Sequence, residues 1–364
     1  MRTTHQLDAV PPGVPQPADD RRPATRQMLR AGDCVGRYVI RSRLGVGGMG
    51  VVYGARDRAL GRFVALKLVR RKSRGGASRN ICFIERLHRE AVALARLSHP
   101  HVVSLYDMGS DNDVMFLAME FVPGDSLVVA LARETLPWQK ILGLFVQAGK
   151  GLAAAHHEGI IHRDFKPSNA IVGPDGHVTV VDFGLALGTD SAPEADEDDF
   201  SPAALTRKLT EANLIIGTRG YMAPEQLLGR EVGPACDQFS LCVALFEALH
   251  GVRPYPGDNA VETARSFAKG ELAPTVRRDI PAHIEQAIAR GLRVDPAERF
   301  ESIDALLAAL DPKPIKPRRF GVAALVLAAA AASAAGTAWV GGLSDSAEPQ
   351  MTCKANPSAV RHHP

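Results

Sequence analysis

The middle of the chain carries two acids and an amide at spacings that suit chemistry on a phosphate or a hydroxyl. Asp164 and Asn169 lie five residues apart in the polar stretch 161–169, and Asp182 follows the apolar run 178–181. A polar loop between buried segments can hold a catalytic group on a rigid support. Carboxylate and amide oxygens also suit Mg²⁺, which needs few protein ligands when phosphates supply the rest. One group could therefore face a substrate hydroxyl and the others a metal ion.

A glycine-rich stretch at residues 44–52 could hold the phosphates. It contains the pattern G-x-G-x-x-G-x-V, and glycines let the backbone approach phosphates and expose its N–H donors. The same pattern can open a dinucleotide-binding fold. Against that alternative, a β-prone run follows Gly50, and no acidic residue stands at ribose-binding spacing. Lys67 arrives 17 residues later between apolar neighbours, which favours a lysine that points into a cleft over a surface lysine.

A buried ammonium group needs a carboxylate partner, because an unpaired buried charge is costly. Apolar residues at helical spacing predict an amphipathic helix over roughly residues 83–97. Glu90 on this helix is the favoured partner of Lys67, since Leu94 then falls on the same inward face. Glu85, in the same helix, is the alternative.

Taken together, these motifs resemble the protein kinases, and most of all the bacterial membrane-anchored serine/threonine kinases, over residues 37–308. The glycine loop, the V-A-L-K lysine, H-R-D-x-x-x-x-N at 162–169, D-F-G at 182–184 and A-P-E at 223–225 stand in the kinase order. The resemblance implies an α+β, bilobal protein kinase fold, with a small antiparallel β lobe carrying one main helix and a larger helical lobe. It implies ATP between the lobes and Ser/Thr hydroxyls of proteins as acceptors.

The resemblance also implies a role for each matching residue in the reaction. Asp164 is expected to accept the substrate hydroxyl proton or to orient that hydroxyl. Lys166 is expected to contact the γ-phosphate, as in serine/threonine rather than tyrosine kinases. Asn169 and Asp182 are expected to hold Mg²⁺, with Mn²⁺ as a substitute. The implied catalytic residues are Asp164, Lys166, Lys67 and Glu90.

Residues 116–124 resemble the hinge that joins the two kinase lobes. There the backbones of Glu120 and Val122 would hold the adenine edge, and Met119 would be the gate to the pocket behind. The full set of ATP-binding residues that the resemblance implies is Leu44, Gly45, Val46, Gly47, Gly48, Met49, Gly50, Val52, Ala65, Lys67, Met119, Glu120, Val122 and Ile171.

The end of the activation segment, and the residues that support it, also resemble their kinase counterparts. Residues 217–225 resemble the end of that segment in serine/threonine kinases, where Thr218 supports the substrate site. Arg299 is expected to pair with Glu225, and Asp237 to brace the backbone of the catalytic loop. These last three roles are structural.

The activation segment also carries an insertion. Between Asp182 and Glu225 lie 42 residues, including the run 194–199 with five carboxylates in six positions. A solvated, disordered insertion is the favoured interpretation. The alternative is an acidic clamp that competes for the basic side of the cleft or for basic substrates.

The sequence divides into five parts. Residues 1–34 are rich in Pro and Arg and predict a disordered leader without the apolar run of a secretory signal peptide. Residues 35–310 predict the kinase domain, and residues 311–319 a basic juxtamembrane linker stiffened by proline. A transmembrane helix is predicted at 320–343, followed by a short extracytoplasmic tail at 344–364.

The membrane prediction depends on residues 320–343, which contain no charged side chain over 24 positions. A helix of that length spans about 36 Å, enough for a hydrocarbon core of about 30 Å. A buried or surface alanine-rich helix is the alternative, but the basic residues before it and Trp339 favour the membrane. Because the basic side faces the cytoplasm, we expect a single-pass protein of the inner membrane with a cytoplasmic kinase domain.

Composition narrows the set of partners. The net charge is +3, and the basic residues lack the aromatic interleaving of a nucleic-acid surface, so no nucleic-acid partner is expected. The five cysteines form no Cys-x-x-Cys pair, which argues against a structural zinc or a disulfide framework. The expected partners are protein substrates, the membrane and a second copy of the chain, which would allow autophosphorylation in a homodimer.

Two rival functions share part of this pattern. A pseudokinase scaffold usually lacks a lysine, an aspartate or an asparagine at the positions of Lys67, Asp164 and Asn169, and all three are present. A small-molecule phosphotransferase should lack the A-P-E sequence and the threonine before it, and both are present. The sequence therefore favours a protein kinase.

We expect the protein to phosphorylate its own activation segment. Arg163 precedes Asp164, and kinases with that arginine often order this segment through a phosphorylated residue. The candidate sites are Thr206, Thr210 and Thr218, and Thr210 is favoured. Phosphopeptide mapping of the active protein should find phosphate between residues 206 and 218, and its absence there would contradict the hypothesis.

Overall fold

A computed structural model separates the chain into two units, Met1–Asp311 and Pro312–Pro364. The residues that the structure describes all belong to the first unit and are 28–47, 50–69, 77–111, 114–184, 219–257, 262, 266–267 and 269–311. The side chains of residues 77–83, 86 and 219 are not among those described.

The first part of this unit is an antiparallel six-stranded sheet in the order β1-β2-β3-β4-β6-β5. Its strands are β1 (Cys34–Val35), β2 (Tyr38–Gly47), β3 (Gly50–Asp57), β4 (Phe63–Val69), β5 (Leu105–Asp111) and β6 (Val114–Glu120). Side chains alternate between the two faces of a strand. One face is buried by residues such as Tyr53, Val64 and Leu66, and the other is left to line a cleft.

One long helix accompanies the sheet. Helix α1 spans Ala77–Arg96, so it begins earlier than the predicted range 83–97. Leu87, Ala91 and Leu94 are buried at the spacing expected for the inner stripe of an amphipathic helix. The helix therefore turns one fixed face towards the protein interior.

Residues 28–34 differ from the sequence prediction. Residues 28–34 belong to the fold, whereas a disordered leader was predicted over 1–34. The Leu29 N–H donates to the Tyr53 hydroxyl at 3.1 Å, and Cys34 lies in β1. These contacts join the segment to the β sheet, and the rest of the predicted leader lies outside the described residues.

The second part of the unit is mainly helical. Its helices are α2 (Leu127–Arg133), α3 (Trp138–His157), α4 (Pro224–Leu228), α5 (Ala235–His250), α6 (Ala282–Gly291) and α7 (Ile303–Leu310). A small antiparallel sheet contains β7 (Asp125–Ser126), β8 (Ala170–Val172) and β9 (Val178–Val180). Residues 236–246 of α5 are all buried, and α5 packs on α3 and α6. A helix buried on every side is a core element, so the rest of this lobe is built around α5.

The segment 102–104 connects the two parts of the unit. The Val103 N–H donates to the Val180 carbonyl at 3.0 Å, and the Val180 N–H donates to the His101 carbonyl at 2.9 Å. The backbones of His101 and Val103 are therefore bonded to β9 of the helical lobe, the Ser104 carbonyl accepts from the Glu120 N–H, and β5 begins only at Leu105.

Among the residues described, no helix is long and apolar enough to cross a membrane. Residues 312–364 are not among them, so the transmembrane helix predicted at 320–343 stays a prediction.

A buried ion pair joins α4 to the last part of the unit. The Arg299 guanidinium donates to both carboxylate oxygens of Glu225, at 2.7 and 2.8 Å. It also donates to the carbonyl groups of Ala235, Arg293 and Val294, so each of its five N–H groups has an acceptor. The two side chains are 0% and 4% exposed. The pair predicted from the sequence is thus formed and fully hydrogen-bonded.

Removing one partner of this pair should destabilise the fold strongly. Arg299→Met would leave the Glu225 carboxylate buried without its cation, which costs about 3–5 kcal/mol of unfolding free energy. Chemical denaturation followed by circular dichroism would measure the loss. Arg293→Ala is the matched control, because its side chain is 63% exposed beside Glu298 and such pairs contribute less than about 1 kcal/mol. Equal losses for the two variants would contradict the prediction.

Candidate active site

The register of the β sheet gathers four expected ATP-binding residues on one face. Val52 lies opposite Lys67, and Ala65 lies opposite Met119. Because Ala65 and Lys67 are two positions apart on β4, all four side chains point to the same side of the sheet. This face forms the roof of a cleft above the helical lobe.

The glycine loop lies at the edge of the same face, on β2 and β3. A Cβ atom at Gly50 would lie 1.9 Å from the Leu68 carbonyl oxygen, so only glycine fits there. A Cβ atom at Gly45 or Gly47 would meet nothing within 4 Å. Internal packing does not require these two glycines, and the open space beside their backbone suits a phosphate group. Flanking side chains Leu44 and Val46 are exposed, while Gly48 and Met49 lie outside the described residues.

The far end of the cleft is formed by the connection after β6. Met119 is buried, and the Glu120 N–H donates to the Ser104 carbonyl at 2.9 Å. The Glu120 carboxylate accepts a hydrogen bond from the Ser104 hydroxyl at 3.1 Å. These bonds fix the connection that follows β6. Val122 in this connection is half-buried, and so is Ile171 on β8.

The catalytic loop brings three expected residues together. Lys166 Nζ lies 2.8 Å from Asp164 Oδ2, and the Asn169 side-chain amide donates to the Asp164 carbonyl at 2.8 Å. The side chains of Asp164 and Lys166 are 21% and 16% exposed, so both reach an open cleft. The lysine holds the carboxylate in place and offers a cation beside it.

The catalytic loop is hydrogen-bonded to Asp237, a fully buried carboxylate near the start of α5. Its oxygens accept the backbone N–H groups of His162 at 2.7 Å and Arg163 at 2.8 Å. These are the two residues before Asp164. Asp237 therefore positions the catalytic loop through its backbone, as the sequence predicted.

A histidine that sequence analysis did not single out completes this anchor. His156, at the end of α3, donates from Nε2 to Asp237 Oδ2 at 2.8 Å. Burial alone would raise the pKa of Asp237, but the hydrogen bond and charge of His156, with the neighbouring His162, hold that pKa below its ordinary value. Asp237 thus stays ionised at neutral pH. The only sequence signal was a histidine close before the H-R-D run.

Lys67, the cation on the cleft face of the β sheet, has a different partner from the one predicted from the sequence. Lys67, with a side chain only 5% exposed, forms a close ion pair with Asp182 Oδ1. Glu90, predicted as the partner of Lys67, instead accepts a hydrogen bond from Arg163 Nη1 at 3.0 Å. The predicted pair of Lys67 and Glu90 is therefore wrong for this structure. The reason is tertiary, because the catalytic loop supplies a competing cation at the end of Glu90.

Two site residues hold an unusual backbone conformation. Among the described residues other than glycine, only Arg163 and Asp182 have positive φ angles, at 62° and 61°. This region is costly for side chains with a Cβ and persists where the surroundings enforce it. Both residues lie in the cleft. Arg163 forms the ion pair with Glu90, and Asp182 forms the ion pair with Lys67.

The residues present fit a magnesium–nucleotide complex. The Asp182 carboxylate and the Asn169 amide oxygen are hard donors of the kind that Mg²⁺ takes. The nitrogen of the Asn169 amide is committed to the Asp164 carbonyl, which leaves the oxygen for another partner. Within the described part of the chain, no group of three or more His, Cys, Asp or Glu could hold a metal alone.

A second missed residue is Gln226, on α4. It donates to the Arg163 carbonyl at 2.8 Å and accepts from the Ala223 N–H at 3.0 Å. It therefore ties the A-P-E segment to the catalytic loop. The three candidate phosphorylation sites Thr206, Thr210 and Thr218 lie outside the described residues.

Fold and site together define a class. The protein kinase domain family matches residues 38–309, which include the glycine loop, the catalytic loop and the A-P-E segment. The chain belongs to the protein kinase family.

Its curated relatives are bacterial serine/threonine kinases. PknA of Mycobacterium tuberculosis is 36% identical over 273 residues, which are 73% of this chain and 59% of PknA. PrkC of Bacillus subtilis is 32% identical over 295 residues, 79% of this chain and 42% of PrkC. The chain thus matches only part of the length of these relatives.

A solved structure shows the same fold. The crystal structure of the Mycobacterium tuberculosis PknI kinase domain superposes with a TM-score of 0.56 at 24% identity. The match covers 78% of this chain and 98% of the PknI chain. The two-lobed kinase fold expected from the sequence is confirmed.

His156 should matter for the anchor more than its neighbour His157. His156→Ala would remove a hydrogen bond from the buried Asp237 carboxylate, which costs about 1–3 kcal/mol of unfolding free energy. Deuterium exchange of the His162 and Arg163 amides should also become faster. His157→Ala is the control, because His157 pairs with Asp304 on the surface, where the side chains are 69% and 55% exposed. Unchanged exchange in His156→Ala would contradict the proposed anchor.

Proposed function

We propose that the chain is an ATP- and Mg²⁺-dependent serine/threonine protein kinase. The observation that carries the proposal is the constellation around the catalytic loop. The side chains of Lys166 and Asn169 each form a hydrogen bond with Asp164, and Lys67 and Asp182 form an ion pair in the same cleft. The serine/threonine kinases among its relatives support the acceptor class.

Catalysis in this site consists of positioning and charge neutralisation. Mg²⁺, when bound, neutralises the phosphates of ATP, and Asn169 and Asp182 would hold it. Lys67 and the glycine loop hold the phosphates in line. Asp164 orients the acceptor hydroxyl and takes its proton at the carboxylate. Lys166, 2.8 Å from that carboxylate, supplies positive charge to the transferred phosphoryl group.

The two observed ion pairs support a regulated site. Glu90 is engaged by Arg163, while kinase activity requires it at the lysine that grips the phosphates. A phosphate on Thr210 would offer Arg163 a partner of higher charge and release Glu90 to Lys67. Autophosphorylation between two copies of the chain would then raise activity.

The proposed location of the chain is the inner membrane. The apolar segment 320–343, with basic residues before it, supports a single span that holds the kinase domain at the inner face of the membrane. Anchored copies would meet more often than free ones, which favours phosphorylation in a homodimer.

Asp164→Asn tests the proposed chemistry. The asparagine keeps the size of the side chain but cannot take a proton, so kcat for a protein substrate should fall about 10²- to 10⁴-fold. Transfer of labelled phosphate from ATP to a Ser/Thr protein measures the effect. Asp304→Asn, a surface acid beside His157, should leave the rate within about twofold, in line with the weak effects of surface substitutions. Unaltered transfer in Asp164→Asn would refute the assignment.

A truncation tests the proposed membrane span. The full chain should sediment with membranes and resist extraction by high salt or carbonate, because an apolar helix of this length is held by hydrophobic transfer. A variant ending at residue 311 should stay in the supernatant. A second variant, with three leucine or alanine positions of 320–343 changed to lysine, should lose membrane retention without loss of length. Retention of both variants would contradict a span at this segment.

A further inference from the structure

The peptide group just before Asp164 is held at both of its polar ends. Its carbonyl, which belongs to Arg163, accepts a hydrogen bond from the Gln226 amide at 2.8 Å. Its N–H, which belongs to Asp164, donates to His162 Nδ1 at 3.3 Å. Because a peptide group is planar, these two bonds on its opposite sides fix its orientation.

The peptide group just after Asp164 is held as well. Its carbonyl, which belongs to Asp164 itself, accepts from the Asn169 side-chain amide at 2.8 Å. The two peptide planes that flank a Cα atom set its φ and ψ angles, and these angles set the direction of the Cα–Cβ bond. The direction of the Asp164 side chain therefore depends on both planes.

The side chains that hold these two planes come from two parts of the chain. His162 and Asn169 belong to the catalytic loop, so they move together with it. Gln226 belongs to α4, where the preceding residue, Glu225, is buried in the ion pair with Arg299. Gln226 thus bonds the peptide between residues 163 and 164 to a support outside the loop.

The backbone conformation of Arg163 adds to the importance of this bond. Its φ angle is 62°, in a region that is costly for a residue with a Cβ atom and persists where the surroundings enforce it. The Arg163 N–H donates to Asp237 at 2.8 Å, and the Arg163 carbonyl accepts from Gln226. Loss of the Gln226 donor would remove one of these two restraints.

The Gln226 amide fits between its partners in one orientation. Its Oε1 accepts from the Ala223 N–H at 3.0 Å, while its Nε2 donates to the Arg163 carbonyl. The reversed amide would set oxygen against oxygen and N–H against N–H, so both bonds would be lost. A carboxylate in the same place could keep the bond to Ala223 but would have no donor for Arg163.

We infer that Gln226 is a positioning residue, which orients Asp164 through the peptide group between residues 163 and 164. The inference rests on the proposed kinase function. It makes the rate of phosphate transfer depend on the position of the A-P-E segment, because the donor moves with α4. The hydrogen bonds described for Gln226 go to Ala223 and Arg163, neither of which is an expected ATP-binding residue. Its loss should therefore lower kcat and leave the KM for ATP.

Gln226→Glu tests the inference on the full chain purified in detergent. The glutamate has the same length, but at neutral pH it turns a carboxylate oxygen towards the Arg163 carbonyl. With labelled ATP and a Ser/Thr protein as acceptor, kcat should fall about 10- to 100-fold, because a small misplacement of a catalytic group is costly. The KM for ATP should change by less than about twofold.

Gln147→Glu is the matched control. Gln147 on α3 also bridges a carbonyl and an N–H, since it donates to Gly176 at 3.3 Å and accepts from Val178 at 3.1 Å. Both partners lie at the turn between β8 and β9. The control should keep kcat within about twofold of the unaltered chain, and an equal fall in both variants would overturn the inference.

The pH dependence separates a lost donor from a loss of packing. Protonation would give the new carboxyl group an O–H donor for the Arg163 carbonyl. The carbonyl favours this protonated form, so the pKa of the group should lie above about 4.3, the ordinary value for glutamate. Relative to the unaltered chain, kcat of Gln226→Glu should therefore rise as the pH falls from about 8 to about 5.5. Gln226→Met has no donor at any pH and should show no rise, and the same profile in both variants would overturn the inference.

Hydrogen exchange gives a readout that does not depend on catalysis. The Asp164 amide should exchange faster in Gln226→Glu than in the unaltered chain, and at an unchanged rate in Gln147→Glu. Unchanged exchange in Gln226→Glu, or a kcat within about twofold of the unaltered chain, would overturn the inference while leaving kinase activity in place. Absence of any phosphate transfer by the unaltered chain would overturn the proposed function. The exchange comparison would then decide the inference by itself.

Discussion

The carboxylate of Asp237 constrains the catalytic region, because a charge without access to water must be fully hydrogen-bonded. Its donors are the backbone N–H groups of His162 and Arg163, the side chain of His156 and, at 3.6 Å, the Cys236 thiol. The two N–H donors belong to the catalytic loop itself. The loop can leave its position only by exposing or orphaning that charge, so Asp164, the next residue, inherits a fixed location from the core helix α5.

The anchor extends beyond the loop. Gln226 of α4 donates to the Arg163 carbonyl. Glu225, the residue before Gln226, accepts hydrogen bonds from Arg299 at both carboxylate oxygens. The other three N–H groups of Arg299 donate to backbone carbonyls. The half-buried Gln226 thus connects the catalytic loop to a buried, fully hydrogen-bonded ion pair.

Four charged side chains of the cleft form two ion pairs in this structure. Lys67 pairs with Asp182, and Arg163 pairs with Glu90. Under the proposed regulation, a phosphate on the activation segment would compete with Glu90 for Arg163 and let Glu90 reach Lys67. That exchange concerns side chains, whereas the backbone of the catalytic loop is bonded to Asp237.

Much of this arrangement could be predicted from residue types and spacing. The resemblance to protein kinases predicted the two lobes and the pairing of Arg299 with Glu225, and residue types and spacing predicted that Asp164, Asn169 and Asp182 belong to one site. Local residue types do not reveal a partner that is distant in the sequence. Val103 is β-branched, yet it lies outside the strands of the sheet, because its N–H donates to Val180 of β9, 77 positions further along the chain.

The sequence by itself determined which chemical groups this protein carries and in what order, because motif spacing and apolar periodicity are local properties. Only the tertiary structure decided which group meets which. His156 lies 81 positions from Asp237, and Glu90 lies 73 positions from Arg163. Such contacts depend on how helices and loops pack against one another, and periodicity within a segment carries no record of the face that another segment will present. For that reason Lys67 was recognisable as a cleft lysine, whereas its partner was not.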